Sequence, residues 1–334
     1  MNSLFVGPYR QSDMNGLHSQ ALLNYLYRNV PKVGQLIARN IFISPNNIMT
    51  NADQPYIKQT ETFIGNIDTL IQHTPLDSIY LSQHISNNVC IPIMDNRIPQ
   101  DDHIYRLSMC SKVLVDNYTN YKFLANLINN VHMVTYDPIF SIDGLPSINL
   151  GIYRDTNKMY FIGDYAGNRD LIKDLIMCFT VFSLKNDNLS LVIFLTNAIQ
   201  KDIQELQNLI QKIYKDLEVT NVFAKVVCTG IGSTIQSLIA CHMSGDIYLN
   251  INDNPRNGLN SLYAQKFNHE ILDLAEVGTH RIIARNGVIS KNNTYDTPTQ
   301  SGIIDAMDRL LLRNNNKTTD LIDKKELCEI LWQQ

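Results

Sequence analysis

One feature constrains the fold more than any other: short apolar runs alternate with longer amphipathic stretches along the chain. That rhythm belongs to parallel sheets whose strands are joined by crossover helices. It predicts strands at Leu4–Val6, Asn40–Ser44, Ser78–Ser82, Cys90–Met94, Lys112–Asp116 and Val131–Tyr136, and helices at Leu17–Arg28, Tyr56–Ile71 and Tyr118–Ile128. The stretch from Asp137-Pro138 to Pro146-Ser147, rich in Pro, Gly, Ser and Asp, then breaks the pattern and reads as a linker. The rhythm restarts with strands at Met159–Gly163, Ser190–Leu195, Ala224–Cys228, Asp246–Ile251 and His280–Ala284. Helices are expected at Arg169–Leu184, Ala198–Leu217, Ser233–Met243, most of Leu259–Val277, near Gly302–Leu312 and at Thr319–Trp332.

A chain of 334 residues exceeds one ordinary core and suits two domains. The expected division is 1–146 and 147–334, two Rossmann-like α/β domains facing a central cleft, with the last helices packing back on the first domain. Ligands of open α/β sheets bind beyond the carboxyl ends of the strands, and a cleft that closes over two substrates excludes water. The charge balance, 28 Lys+Arg against 32 Asp+Glu for a net of -4, argues against a protein built mainly to coat nucleic acid and leaves a local basic groove open.

The start, Met1 to Tyr9, lacks a basic segment followed by an apolar one, so no signal peptide is expected. The most apolar stretches, Leu171–Leu184 and Ser190–Leu195, are too short to span a bilayer, and Lys173 and Asp174 interrupt the first. Cys90, Cys110, Cys178, Cys228, Cys241 and Cys328 form no CxxC pair. They read as small buried hydrophobes in a reducing cytoplasm.

Four strand–loop–helix junctions can carry chemistry. In the first, Val6-Gly7-Pro8 leads through Ser12-Asp13-Met14-Asn15-Gly16 to Leu17-His18. A helix start there presents free N–H groups to a phosphate or a sugar hydroxyl, or is an ordinary turn capped by Ser12, Asp13 or Asn15. It is not a GxGxxG fingerprint, so a dinucleotide fold is not supported. In the second, Tyr160-Phe161-Ile162-Gly163-Asp164-Tyr165 is followed by Gly167-Asn168-Arg169. An arginine in a helix's first turn opposes the helix dipole, which gives weight to an anionic partner such as a diphosphate. The third, Cys228-Thr229-Gly230-Ile231-Gly232-Ser233, places two glycines after a strand, where a base or ribose can approach the backbone or a tight turn needs them. The fourth runs from Asp246-Ile247-Tyr248-Leu249-Asn250 through Asn257-Gly258-Leu259 into a helix.

Together these junctions resemble the retaining glycosyltransferases often labelled group 1 or family 4, most clearly in the second half. The matching residues are Phe161-Ile162-Gly163, Asn168-Arg169, Leu175, Phe179, the apolar strand Leu191-Val192-Ile193, the helix ending at His242, and Asp246 opening a strand. The family's signature of Glu, Gly-Phe-Gly-Leu and Glu-Ala meets Pro255, Gly258-Leu259 and Tyr263-Ala264, so both glutamates are replaced. In the first half, Tyr80-Leu81-Ser82-Gln83-His84 resembles the family strand that ends in a His near the donor sugar, and Asn117 stands where a Ser often precedes a helix.

The resemblance implies a GT-B fold and transfer from a nucleotide-diphosphate sugar, a UDP-sugar first, with no required cofactor or metal. Arg169 and His84 take the catalytic roles. Gly163, Asn168, Arg169, Gly230, Gly232, Asn257, Gly258 and Leu259 hold the donor, and Asn15, Gly16 and His18 hold the acceptor or sugar. His103 and His132 are weaker candidates. No Asp-x-Asp, HExxH, GxSxG or GxxxxGK[ST] occurs, so metal-dependent GT-A transfer, metalloprotease, hydrolase and P-loop chemistry are not indicated. The acceptor stays open between a glycan, a protein and a small molecule. The Asn-rich composition also leaves a viral enzyme acting on DNA bases open, and the two lost glutamates leave a degenerate binding or scaffold protein open.

Overall fold

The computed structural model describes residues 2–11, 13–30, 34–41, 55–62, 65–94, 99–116, 118–137, 148, 150, 156–184, 186, 188–196, 198–219, 226–232, 234–250, 259–274, 280–284, 288–289, 307 and 325–332. The chain forms two compact units: Met1–Ser141 with Arg256–Leu259 and Asp323–Gln334, and Ile142–Pro255 with Asn260–Ile322.

Unit 1 is built on strands β1 (Ser3–Gly7), β2 (Leu36–Asn40), β3 (Thr69–Pro75), β4 (Asn87–Ile93), β5 (Lys112–Val115) and β6 (Val131–Thr135). A last short strand, β14 (Lys325–Glu326), adds to β6 from the far end of the chain. The order is β14-β6-β5-β4-β3-β1-β2, and every pairing is parallel. β2 and β3 lie on opposite sides of β1, so the winding direction reverses between β1 and β3. That reversal is a topological switch point, where the crossovers diverge and leave a crevice at the carboxyl ends.

Helix α1 (Met14–Asn29) starts where Asp13 accepts from the Gly16 N–H at 2.8 Å and carries Arg28 in its last turn, matching cap and dipole. Helices α2 (Pro55–Thr62), α3 (Asp101–Met109) and α4 (Tyr118–Ala125) complete the described crossovers.

Unit 2 has strands β7 (Asn157–Asp164), β8 (Leu189–Thr196), β9 (Val226–Ile231), β10 (Ile247–Asn250), β11 (Glu270–Leu274), β12 (His280–Ala284) and β13 (Val288–Ile289), in the order β13-β12-β11-β10-β7-β8-β9. β11, β12 and β13 pair antiparallel; the remaining pairs are parallel, and the switch point lies between β7 and β10. Helices α5 (Tyr165–Ser183), α6 (Gln200–Asp216), α7 (Ile235–Met243) and α8 (Leu259–Lys266) follow their strands. Every residue of β8 is buried, as a central parallel strand covered on both faces requires. Phe161, Ile193, Leu195 and Leu249 pack there against Ile172, Leu175, Phe179, Leu206 and Ile210. With two mainly parallel α/β units of this kind, the chain has the GT-B fold.

Several expected elements are corrected. The stretch Tyr56–Ile71 is not one helix: α2 ends at Thr62 and β3 starts at Thr69. Ser78–Ser82 is not a strand; a 3-10 turn (Leu76–Ser78) leads into loop, and the Gln72 side chain bonds both the N–H and the carbonyl of Tyr80, standing in for a ladder. β2 lies at Leu36–Asn40 rather than Asn40–Ser44, because Leu36, Ile37 and Ala38 are the buried residues; 42–44 lie outside the described residues. Helix α8 ends at Lys266, well short of Val277, because Asn268 takes a left-handed φ of 58° that an asparagine tolerates, and β11 follows. Lys325–Glu326 is strand rather than helix, since it extends the β6 ladder. Helix α3 was not legible in the apolar rhythm, Leu107 being its one buried residue. The helix expected near Gly302–Leu312 lies outside the described residues apart from Met307.

Candidate functional site

At the switch point of unit 1, the loop after β1 returns against α1. A β-carbon on Gly16 would lie 2.1 Å from the Gln11 carbonyl oxygen, so this closeness of loop to helix requires a glycine. Arg10 clamps the loop from the other side through two bonds to Glu61, at 2.7 and 2.5 Å, while Tyr9 donates to the same carboxylate at 2.8 Å. Arg10 holds the Glu61 carboxyl below the usual carboxylate range.

Behind this loop lies a buried polar chain. The Nε2 of His18 meets Asp116 Oδ2, at the end of β5, at 2.9 Å. The His18 ring stands edge-on to His73 of β3, with centroids 4.7 Å apart. The Nδ1 of His73 is 2.5 Å from Ser19 Oγ. Burial, with His18 second, holds the His73 imidazole well below the usual histidine range, so it is neutral. His18, His73, Asp116, Asn15 and Asn120 line a cavity of about 20 Å³, room for one water.

The expected acceptor residues Asn15, Gly16 and His18 therefore gather at one switch point. His84 does not join them: it is exposed on the loop that leads into the amino end of β4, its N–H bonded to Ser82 Oγ at 3.3 Å. The histidine borne near a strand's carboxyl end is His73. The apolar rhythm hides it, because the expected helix Tyr56–Ile71 overlaps the start of β3. Its signal was Gln72-His73-Thr74-Pro75, polar residues closing a short apolar run. His103 is occupied elsewhere, meeting Asp77 at 2.6 Å.

In unit 2, Gly163 is buried in β7 opposite Leu195, and Asp164 ends the strand. Strand passes into α5 without a loop. Asn168 breaks the helix with φ -126° and ψ 19°, its Nδ2 donating to the Asp164 carbonyl at 2.8 Å. Arg169 follows on the resumed helix. Its side chain is 66 % exposed, 3.3 Å from Glu205 and over the Tyr165 ring at 5.8 Å. Gly230 lies inside β9 rather than after it, and Gly232 follows just before Thr234, which caps α7 by accepting from the Ser237 N–H. Leu259 opens α8 and is buried; Asn257 and Gly258 lie outside the described residues.

Two residues from the resemblance have other occupations. His242 is fully buried. It accepts the Tyr160 hydroxyl proton at 2.8 Å and its Nε2–H donates to Asn260 at 3.3 Å, while His269 Nδ1–H donates to the same tyrosine oxygen at 2.8 Å. Burial pushes His242 down to about 3, so its imidazole is neutral, and each polar atom named here has a partner. Tyr263, at the second glutamate position, is fully buried with its ring 5.5 Å from His242, so it packs in the core. Pro255 lies outside the described residues. Among the described residues no group of three or more His, Cys, Asp or Glu is placed to hold a metal, and no helix is long and apolar enough to cross a membrane.

No family model matches the chain, and no curated protein sequence matches it. Its likenesses are to solved structures. Sucrose-phosphate synthase from Thermosynechococcus elongatus superposes with a TM-score of 0.52 at 12% identity, covering 94% of this chain and 90% of that one. The UDP-GlcNAc 2-epimerase of Methanocaldococcus jannaschii, in complex with UDP-GlcNAc and UDP, gives 0.51 at 9% identity, covering 99% and 98%. A glycosylation-associated complex from Streptococcus agalactiae gives 0.46 at 13% identity; the chain covers 51% of that chain, about half its length. At these identities what is shared is the GT-B fold.

Proposed function

We propose that the chain is a glycosyltransferase that takes a sugar from a nucleotide-diphosphate sugar, with the donor on unit 2 and the acceptor on unit 1. The observation that carries this reading is the pair of switch points, each furnished with the residue types that a sugar nucleotide needs. Unit 1 presents Asn15, His18 and His73 beside a glycine-shaped loop. Unit 2 presents the ends of β7 and β10 and the start of α5 with Arg169. UDP is the nucleotide to try first, since the Methanocaldococcus jannaschii enzyme of this fold was solved with it.

Arg169 suits the diphosphate role energetically. Its partner Glu205 is one-third exposed, and exposed pairs contribute about 0–1 kcal/mol, so exchanging that carboxylate for a phosphate loses little. As the glycosidic bond breaks, negative charge grows on the leaving phosphate, and a guanidinium in place beforehand stabilises it without reorganisation. The retaining outcome rests on the family resemblance.

The experiment is thermal unfolding with UDP, GDP, ADP, CMP and TDP, with and without Mg²⁺, then with the matching nucleotide-sugars. Selective, metal-independent stabilisation by one diphosphate is expected in the intact chain, and much less in Arg169→Ala. A second reading, a GT-B protein that binds partners without transferring sugar, is favoured by Tyr263 being committed to the core. It predicts no shift with any nucleotide.

A further inference from the structure

The geometry points to Ser19 as a positioning residue that holds His73 as its Nε2–H tautomer, so that His73 acts as a hydrogen-bond donor to a hydroxyl of the ligand held at the unit 1 switch point and not as a base. The assignment of that ligand rests on the transferase reading above; the tautomer does not.

Ser19 differs from several other hydroxyls at helices among the described residues. Thr60, Thr180 and Ser244 each turn back and donate to the carbonyl four residues earlier, the usual outlet for a helical hydroxyl. Ser19 does not. It is fully buried, and among the described residues its single hydrogen-bond partner is His73 Nδ1. A buried hydroxyl proton left without an acceptor costs roughly 1–3 kcal/mol. The one acceptor in reach is the Nδ1 lone pair, so the hydroxyl donates and Nδ1 carries no proton. A neutral imidazole then has its proton on Nε2. The opposite tautomer would set an N–H against the hydroxyl and strand the serine proton.

His73 Nε2 meets no hydrogen-bond acceptor among the described residues, and the ring lines the cavity shared with Asn15, Asp116 and Asn120. His18 does not compete for it: its Nε2 lies 2.9 Å from Asp116 Oδ2, and its ring meets His73 edge-on. The proton on Nε2 is thus offered towards the switch point. A donor there reads an oxygen lone pair. It cannot take a proton from an acceptor hydroxyl, which separates this histidine from the histidine bases of hydrolases.

The test uses the full chain labelled with ¹⁵N-histidine and long-range ¹H–¹⁵N spectra at neutral pH, with His73→Gln to assign the signals. The expected result is a neutral His73 with a protonated Nε2 and an unprotonated Nδ1. Ser19→Ala should shift that ring to a mixture of tautomers, and should lower kcat about tenfold, one hydrogen bond's worth, with the KM for the nucleotide-sugar little changed. Ser19→Cys, a weaker donor in the same space, should fall between. A protonated Nδ1 in the unmodified chain overturns the proposal without any variant. So does a Ser19→Ala protein that folds and keeps both spectrum and kcat. If no nucleotide-sugar is turned over, the transferase reading fails while the spectra still decide the tautomer.

Discussion

Gly245 shows how one absent methyl organises unit 2. A β-carbon there would sit 2.1 Å from Cδ1 of Tyr160 and 2.6 Å from its Cε1, inside the ring that bonds His242 and His269. Gly245→Ala must push that ring away and disturb both histidine partners at once. The expected cost is about 1–3 kcal/mol, read as a lower urea midpoint with an unchanged slope. The same cluster sets a pH dependence. In the folded chain His242 is held at about 3, whereas unfolded it titrates near the ordinary 6.5, so on acidification the unfolded state takes the proton first. Stability is complete above about pH 6.5 and falls below it, by up to about 1.4 kcal/mol for each pH unit until the native value is reached. His73, also lowered by burial, acts in the same direction. Urea midpoints should therefore drop between about pH 7 and pH 5, and His242→Phe should flatten the slope even if it lowers the midpoint.

At the scale of elements, the helix that begins the unit 1 site depends on its cap. Asp13 accepts the Gly16 N–H at the turn where Gly16 meets Gln11, so Asp13→Ala should destabilise the chain by about 1 kcal/mol in thermal or urea unfolding. That turn was legible in the sequence because cap, glycine and apolar spacing agree. So were β8, β10 and the middle of β7, Met159–Gly163, where every residue is buried and most are apolar. β3 was not, because it is buried through polar side chains. Thr69 bonds Asn87, Gln72 bonds Tyr80 and His73 bonds Ser19; the last joins residues 54 apart, so no local window contains its cause. The same limit hides that His73, not His84, lies near the carboxyl end of a strand. The end of α8 was missed for a related reason: Asn268 turns left-handed where His269 is tied to Tyr160, 109 residues earlier. Composition near a turn is visible in a sequence, whereas a distant partner that makes a buried polar residue affordable is not.

At the scale of the whole molecule, the end of the chain belongs to the unit that its beginning builds. Lys325 and Glu326 pair with Val134 and Thr135, extending the first sheet past β6. The helix that follows, Leu327–Trp332, buries Leu327, Ile330 and Leu331, and the Ile330 carbonyl accepts from Lys112 Nζ at 2.5 Å. Unit 1 is thus closed by a segment that follows all of unit 2 in the chain, so its sheet and core are completed only after unit 2 has been made. Each of the three buried side chains contributes roughly 1.5–3 kcal/mol. A chain cut after residue 322 loses these and exposes the edge of β6 together. For a domain of this size such a loss lowers the midpoint by on the order of 10 °C or more. Calorimetry should show the transition of unit 1 moving down while that of unit 2, whose core contains none of these residues, keeps its temperature. Should both transitions move together, the two units unfold as one, and the segment stabilises the molecule rather than its first half. If neither moves, the strand and helix of 325–332 add nothing to the fold in solution.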